Sequence, residues 1–207
     1  MVILVETHMK ILRRQKAKTA LLVVALSVAL AVSLIYAELK HREAESVRTE
    51  SLVWSQEAKM LTKKNEILSI LRSKPMTVGQ AMEVIDAVAN QKTIPVSIAL
   101  AMVEQESEFY PRAVSNMGAR GLTQIMPATI KFYIKDPSLQ NQIDRPAINV
   151  TGGLMHLSYL MSKFGTWEKS LRAYFAGEDH ADNRAFDWYA KAVLRKANKY
   201  KHLDEIS

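Results

Sequence analysis

The chain predicts a mainly α protein: a membrane-spanning helix, then an amphipathic helical stalk, then one helical domain. Three observations carry this. Residues 20–37 form a run of 18 uncharged, mostly apolar residues behind a basic flank. Apolar residues recur at helical spacing through most of the rest, and prolines and glycines fall where helices should start or stop. No alternating apolar–polar strand pattern persists. The length, 207 residues, leaves room for one ordinary domain plus an extension.

Composition narrows the function classes. Hydrophobic residues make up 48% of the chain, enough for a sizeable core. Cysteine is absent, which excludes a disulfide framework and a thiolate metal site. The formal charge of +7 is unevenly placed. From Met76 onward, 15 Lys and Arg face 14 Asp and Glu, whereas the residues before it carry 13 basic against 7 acidic groups. A nucleic-acid-binding domain concentrates positive charge on its folded part, so this distribution argues against nucleic acid as a partner.

The first element, 1–19, reads as a cytoplasmic basic segment, with Lys10, Arg13, Arg14, Lys16 and Lys18 close to the apolar run. The second, 20–37, is about long enough to cross a bilayer. Positive charge on its N-terminal flank keeps that end in the cytoplasm and sends the rest outside. The run is longer than the apolar core of a signal peptide, which spans ~7–15 residues. Ala29-Leu30-Ala31 offers a cleavage site, yet apolar residues continue past it. An uncleaved anchor is the preferred reading, a cleaved signal peptide the alternative. A buried soluble helix fits the basic flank less well.

The third element, 38–75, is highly charged with few helix breakers. Val47, Trp54, Leu61 and Leu68 repeat every seven residues, with Val53, Met60 and Ile67 beside them. This suits an amphipathic stalk helix that packs on a partner, on itself or on the domain. Pro75 is expected to end it.

The domain follows over 76–207. Thr77 is a candidate cap for a helix to about Asn90. Pro95 suits the first turn of another, ending near Glu108. Gly118 and Gly121 mark a loop, and Pro127 opens a short helix. Helices over Ile148 to Phe164, Trp167 to Ala176 and Ala185 to Tyr200 complete the set. A short hairpin is a further candidate between Lys131 and Asp144.

Within this domain one carboxylate stands out. Ile98, Met102 and Phe109 recur at helical spacing, and Glu106 falls on their stripe. Glu104 and Glu108 sit on a different face, expected to be solvated. A carboxyl among apolar neighbours resists ionisation because its charged form loses water. One that stays protonated near neutral pH can donate a proton to a leaving group, as cleavage of a glycosidic bond requires. The plainer reading is a carboxylate satisfied in a core network.

The segment around Glu106 resembles lytic transglycosylases of the soluble type. Their pattern is an ES pair, a proline, then S-x-x-G-A-x-G-L-M-Q-x-M-P-x-T. The chain carries Glu106-Ser107, Pro111, Ser115, Gly118-Ala119, Gly121-Leu122, Gln124, Met126-Pro127 and Thr129, without gaps. A second family block, A-Y-N-A-G, is matched by Ala173-Tyr174-Phe175-Ala176-Gly177. Asn149 and Gly153 match a further N and G, and Tyr189 and Val193 resemble the closing Y-x-x-x-V. Two positions depart: Thr123 stands for a Met and Phe175 for an Asn.

The resemblance implies a lysozyme-like, goose-type-like helical domain. It also implies cleavage of the β-1,4 bond between N-acetylmuramic acid and N-acetylglucosamine in peptidoglycan, without cofactor or metal. Glu106 would act first as acid, then as base toward the muramic C6 hydroxyl, giving a 1,6-anhydro end. Ser115, Gln124, Met126, Tyr174 and Tyr189 match substrate-groove positions, with Tyr174 expected to reach the acid or the N-acetyl group. Ser107, Gly118, Gly121, Leu122 and Gly177 match positions that shape the groove. Without the resemblance, Ser115 reads as a turn residue, Met126 as core and Tyr174 as packing. A muramidase would need a second carboxylate, for which Asp136 and Asp144 are the nearby candidates. A non-catalytic glycan-binding or assembly module is the third reading.

The expected partners are peptidoglycan strands, the cytoplasmic membrane through 20–37, and a second copy or a machine component through the stalk. The expected location is the bacterial inner membrane, single-pass, with the domain in the periplasm. Delivery there by a phage particle, or service beside a secretion machine, fits the same design.

Overall fold

The computed structural model describes residues 2–204, and the chain divides into two compact units after Gln56. Helix α1 (Val2–Leu71) is 70 residues long. In the first unit it stands alone, and every side chain described there is exposed. Leu21, Val24, Leu30 and Ile35 each keep more than half their surface accessible. An apolar surface of this extent marks a membrane or protein contact. The charged stretch that follows is supported by local pairs such as Arg42–Glu38 at 2.9 Å and Lys40–Glu43 at 2.8 Å. Pairs of this spacing add a few tenths of a kcal/mol each.

The second unit begins at Glu57 and so takes in the last turns of α1. Ile67 and Leu71 are fully buried in its core, whereas Val47, Trp54 and Leu61 are exposed. The sevenfold pattern read from sequence therefore has two physical parts, an open one and a core-forming one. The helix stops at Leu71, four residues before Pro75.

Helix α2 (Val78–Asn90) starts at Thr77, whose hydroxyl accepts from the Gln80 amide while the Gln80 side chain accepts from the Thr77 amide. This capping box settles two of the orphan N–H groups of the first turn. Lys64 pairs with Asp86 on α2 at 2.7 Å.

Helix α3 (Val96–Ser107) is the centre of the unit. Its first eight residues, Val96 to Val103, are all buried. A helix apolar on every side belongs inside a protein, and here α8 and the chain's last turn cover it. Pro95 is its N-cap and offers no side-chain cap. Asp204 supplies one instead, accepting from the Ser97 amide at 2.9 Å and the Ser97 hydroxyl at 2.6 Å. A carboxylate there also complements the helix dipole.

Helix α4 (Pro127–Tyr133) and the single turn α5 (Pro137–Gln140) lead to α6 (Pro146–Phe164), α7 (Trp167–Ala176) and α8 (Asp187–Tyr200). Short 3₁₀ turns at 178–180, 184–186 and 201–204 complete the described residues. α2 packs on α6, α6 on α7, and α7 on α8. The mainly α fold is borne out, and no β-strand occurs among the described residues.

Two expectations need correction. No hairpin forms between Lys131 and Asp144. The prolines at 127 and 137 start helical turns there, and the isolated bridges lie earlier, at Val114–Arg120 and Arg120–Ile125. Glu104 is not solvated. It accepts from Lys199 at 2.7 Å and from the Tyr200 hydroxyl at 2.5 Å, tying α3 to α8. Burial raises its pKa, but those hydrogen bonds and the two lysine charges outweigh it and hold the group below the usual range.

Candidate active site

Glu106 lies in the last turn of α3, the position where a core helix leaves the core. Just past the end of the helix at Ser107, Glu108 and Phe109 both adopt left-handed backbone, with φ of 50° and 65°. Two such residues in succession cost on the order of 1–2 kcal/mol each. They reverse the chain sharply and drop Phe109 into the core, fully buried. Phe109 therefore shares the core with Ile98 and Met102 but not their helix. The reversal frees the end of α3, so Glu106 is partly exposed rather than sealed in.

Burial pushes the Glu106 carboxyl up to about 7 from an ordinary value of 4.5, and a hydrogen bond from Tyr189 opposes the shift. The donor is the Tyr189 hydroxyl, to Oε1. Tyr189 on α8 is 1% exposed, and its own proton is held firmly because burial and the Glu106 charge both disfavour a phenolate. The C-terminal end of α3 adds partial negative charge near the carboxyl, which acts in the same direction as burial. The result is a carboxylic acid that is half protonated near neutral pH, with one oxygen fixed by a hydroxyl.

The tyrosine roles differ from the sequence expectation. Tyr189, expected at a substrate-groove position, is the residue whose hydroxyl reaches the acid. Tyr174 on α7 donates instead to the Thr123 carbonyl at 2.9 Å. It still lies within reach of the Glu106 charge, which with burial raises its pKa.

Loop 108–126 faces this acid. Ser107 holds its base: the hydroxyl reaches the Val103 carbonyl at 3.1 Å and the Leu122 carbonyl at 2.9 Å, so one proton links the helix end to the loop. Ser115 closes a turn by accepting from the Ala119 amide at 3.0 Å. Gln124, itself left-handed at φ 47°, directs its NH₂ group to the carbonyls of Ala113 at 3.1 Å and Gly121 at 2.9 Å. Its donors thus hold the loop rather than point outward. Met126 is 40% exposed, open to a ligand, and Leu122 is fully buried. Gly118 and Gly177 also take positive φ, and Gly177 ends α7.

Asn149 on α6, noted in the motif but not placed in the site, organises the loop's floor. Its NH₂ donates to the carbonyls of Arg120 at 2.8 Å and Ile143 at 2.9 Å. Its oxygen accepts from the Thr123 amide at 2.8 Å and the Thr123 hydroxyl at 2.9 Å. Gly121 is required here twice over: its φ is +74°, and a Cβ would sit 2.3 Å from Asn149 Nδ2. The departure at Thr123 belongs to this network. The side chain is fully buried and turned inward, where a Met would leave the Asn149 oxygen with one donor fewer.

The candidate second carboxylates are engaged elsewhere. Asp144 forms a two-pronged ion pair with Arg120, which braces the same loop. Asp136 caps α5, accepting from the Ser138 amide at 2.8 Å and its hydroxyl at 2.7 Å, which hold it well ionised.

Two aromatic groups that the sequence alone did not assemble gather on Tyr174 and Tyr189. His156 packs 5.3 Å from Tyr174 and pairs through Nδ1 with the Tyr133 hydroxyl at 3.0 Å. Burial lowers the His156 pKa, keeping it neutral. Phe175 stacks 4.8 Å from Tyr189 and meets Trp188 at 5.0 Å. The visible signal was the run Trp188-Tyr189 and the Phe in the A-Y-F-A-G block.

Known proteins resemble the chain over this region. Residues 83–193 match the Transglycosylase SLT domain family. A soluble lytic murein transglycosylase of Escherichia coli (strain K12) is 39% identical over 79 residues, 36% of this chain and 12% of that protein. A transglycosylase of Enterobacteria phage PRD1 is 33% identical over 125 residues, 60% of this chain and 43% of that one. The chain thus spans less than half the length of these curated relatives. The crystal structure of the 70 kDa soluble lytic transglycosylase from Escherichia coli superimposes with a TM-score of 0.52 at 27% identity, over 58% of this chain and 24% of that one. This likeness bears out the lysozyme-like helical domain. With the family match covering more than half of its residues, and the Glu106-Ser107 pair, the glycine loop and Tyr189 all inside it, the chain belongs to the SLT-domain transglycosylase family.

Proposed function

We infer that the chain is a membrane-tethered lytic transglycosylase acting on peptidoglycan, with Glu106 as its one acid and base. The observation that carries this is the Glu106 carboxyl itself, pushed up to about 7 and held by Tyr189 at the mouth of a core helix. An acid poised near the working pH can both give and take a proton.

The reaction balances without water. Protonated Glu106 delivers its proton to the glycosidic oxygen, and the bond from that oxygen to muramic C1 breaks. The N-acetylglucosamine side leaves with a free hydroxyl. The substrate's own N-acetyl oxygen stabilises C1. The muramic C6 hydroxyl then attacks C1 and returns its proton to the Glu106 carboxylate, which restores the enzyme. The product is a 1,6-anhydro sugar. A hydroxyl on the same ring has a large proximity advantage over bulk water. Tyr189 keeps the carboxyl oriented for both transfers. Met126 offers an apolar contact to the sugar, while Ser115 and Gln124 fix the loop that it rests on.

Hydrolysis by a muramidase is the second reading. It needs a base for water on the opposite side of the bond. The engagement of Asp136 and Asp144 favours the anhydro route. Glycan binding without turnover is the third, and a raised acid pKa would have no use there.

The tether rests on α1. Its best 18-residue window has a mean hydropathy of 2.6, and none of that window is buried. With the basic residues of 1–19 on one side, 20–37 serves as an inner-membrane span and the domain works in the periplasm. The stalk, 38–75, follows the span, and its exposed Val47 and Trp54 are the surface for a second copy or a machine component. The phage relative favours a setting in which a particle carries such a domain to the wall.

The test is digestion of purified peptidoglycan by the full chain in mild detergent, with muropeptides read by mass spectrometry. Anhydro ends that disappear in Glu106→Gln are expected. Reducing ends in their place establish the muramidase instead, and binding without release establishes the third reading. Separation of membranes after expression should leave the chain in the pellet through a high-salt wash; recovery in the soluble fraction refutes the anchor.

A further inference from the structure

We propose that Phe175 and Trp188 form a stacking platform for a sugar ring of the glycan strand, beside the scissile bond. The inference rests on the transglycosylase reading above and adds a binding site specific to this chain.

Three observations converge. First, the two rings are exposed although large and apolar: Phe175 keeps 43% of its surface accessible and Trp188 keeps 53%. Single exposed aromatics are ordinary, but these two are adjacent. Second, they pack against further rings. The Phe175 ring lies 4.8 Å from Tyr189 at 25°, and meets Trp188 edge-on at 5.0 Å and 78°. Trp188 meets Tyr189 at 5.9 Å and 89°, and Phe186 supports Phe175 from 5.8 Å. Third, Tyr189 is both the floor of the platform and the donor to Glu106, so the platform is one ring away from the proton donor.

Sugar is the occupant that this chemistry fits. A β-1,4-linked N-acetylhexosamine carries its ring substituents equatorially, so each face is a flat array of polarised C–H bonds. Such a face complements the negative face of an aromatic ring. It also covers apolar surface without stripping water from a charge. The position is telling because Phe175 stands where the family motif has an Asn. An amide there offers hydrogen bonds; a phenyl ring next to Trp188 offers a face. This chain exchanges a polar group for an apolar one at the same motif position.

The experiment uses the full chain in mild detergent, with Glu106→Gln to prevent turnover and a β-1,4-linked N-acetylglucosamine oligomer as probe. Affinity is read by calorimetry and the site by tryptophan emission. The Glu106→Gln parent should bind with a shift in emission. Adding Trp188→Ala should weaken binding about tenfold, the loss of one apolar contact face, and remove the emission change. Trp188→Phe should remove the emission change but keep affinity within about threefold, which a merely misfolded site would not do. In the otherwise native chain, Trp188→Ala should raise KM with little change in kcat, the mark of a contact made equally in ground and transition states. Undiminished affinity in Trp188→Ala overturns the platform, as does an emission change that survives Trp188→Phe. Sedimentation that shows Trp188→Ala dissolving an oligomer assigns the patch to a second copy and overturns it as well. If the native chain releases anhydro ends while these variants bind normally, only the platform fails. If the native chain neither cleaves nor binds glycan, the transglycosylase reading fails with it.

Discussion

Replacing Glu106 by Gln should stabilise the folded domain, with a gain whose pH dependence is fixed in sign. Burial pushes the Glu106 carboxyl to about 7 against an ordinary 4.5. The folded state therefore holds a proton that the unfolded chain releases across that window. Below the lower value both states are protonated and nothing is lost. As pH rises through the window, ionisation favours the unfolded chain, and above the upper value the loss is complete. Each pKa unit is worth ~1.4 kcal/mol, so the whole window comes to about 3 kcal/mol. Gln has the same shape, carries no charge and still presents an oxygen to the Tyr189 hydroxyl. At about pH 8 the variant should exceed the native chain by up to ~3 kcal/mol, roughly 6–12 °C in Tm for a domain of this size. At about pH 4 the two should coincide. Thermal and urea unfolding of the full chain, followed by circular dichroism across that range, measures the difference. Parallel stability curves, or a variant less stable than the native chain at the alkaline end, refute the desolvated acid. The trade is physical: the environment that keeps this carboxyl protonated is the one that weakens the fold around it.

Two further outcomes follow from the site. Tyr189→Phe removes a hydrogen bond that favours the ionised acid, so the Glu106 pKa rises and the alkaline limb of kcat/KM should move up by about one pH unit; a limb that stays near neutrality, or moves down, contradicts the assigned partner. Asn149→Ala leaves the Arg120 and Ile143 carbonyls and the Thr123 amide without their partner in a buried place, and should cost about 3 kcal/mol in urea unfolding, with activity falling as the loop loosens; a loss under ~1 kcal/mol shows that water replaces the side chain there.

Helix positions were largely legible because their signals are local. Thr77, Pro127 and the Trp167–Ala176 span each follow from capping chemistry or periodicity within a few residues. The acid was legible for the same reason, as one carboxylate on an apolar stripe. What the chain did not disclose depends on distant residues. Glu104 looked solvated because nothing nearby in sequence announces Lys199 and Tyr200. Which of two tyrosines fifteen residues apart bonds Glu106 was not legible, since only the packing of α7 and α8 decides which hydroxyl arrives. The supposed hairpin failed because Pro137 with Asp136 begins a helical turn, a stronger local instruction than a few apolar residues. Thr123 stood out only as a departure from the motif, yet Asn149 and the close approach of Gly153, where a Cβ would meet its hydroxyl at 2.4 Å, make it part of the buried floor.

Asp144 offers the sharpest separation of the two catalytic readings. Its pairing with Arg120 is about 40% exposed on both sides, so as a structural contact it is worth at most ~1 kcal/mol. A hydrolase that used Asp144 to activate water would lose its chemistry in Asp144→Asn by a factor of about 10²–10⁴, the usual contribution of a general base. A transglycosylase that recruits the muramic C6 hydroxyl through Glu106 has no such dependence. Asp144→Asn should therefore keep kcat within a few-fold, still form anhydro ends, and unfold only slightly earlier. The measurement is the product spectrum and the rate from the same peptidoglycan digest. A collapse in rate with intact folding would move the base from Glu106 to Asp144, and would require the Arg120 pair to open when glycan binds.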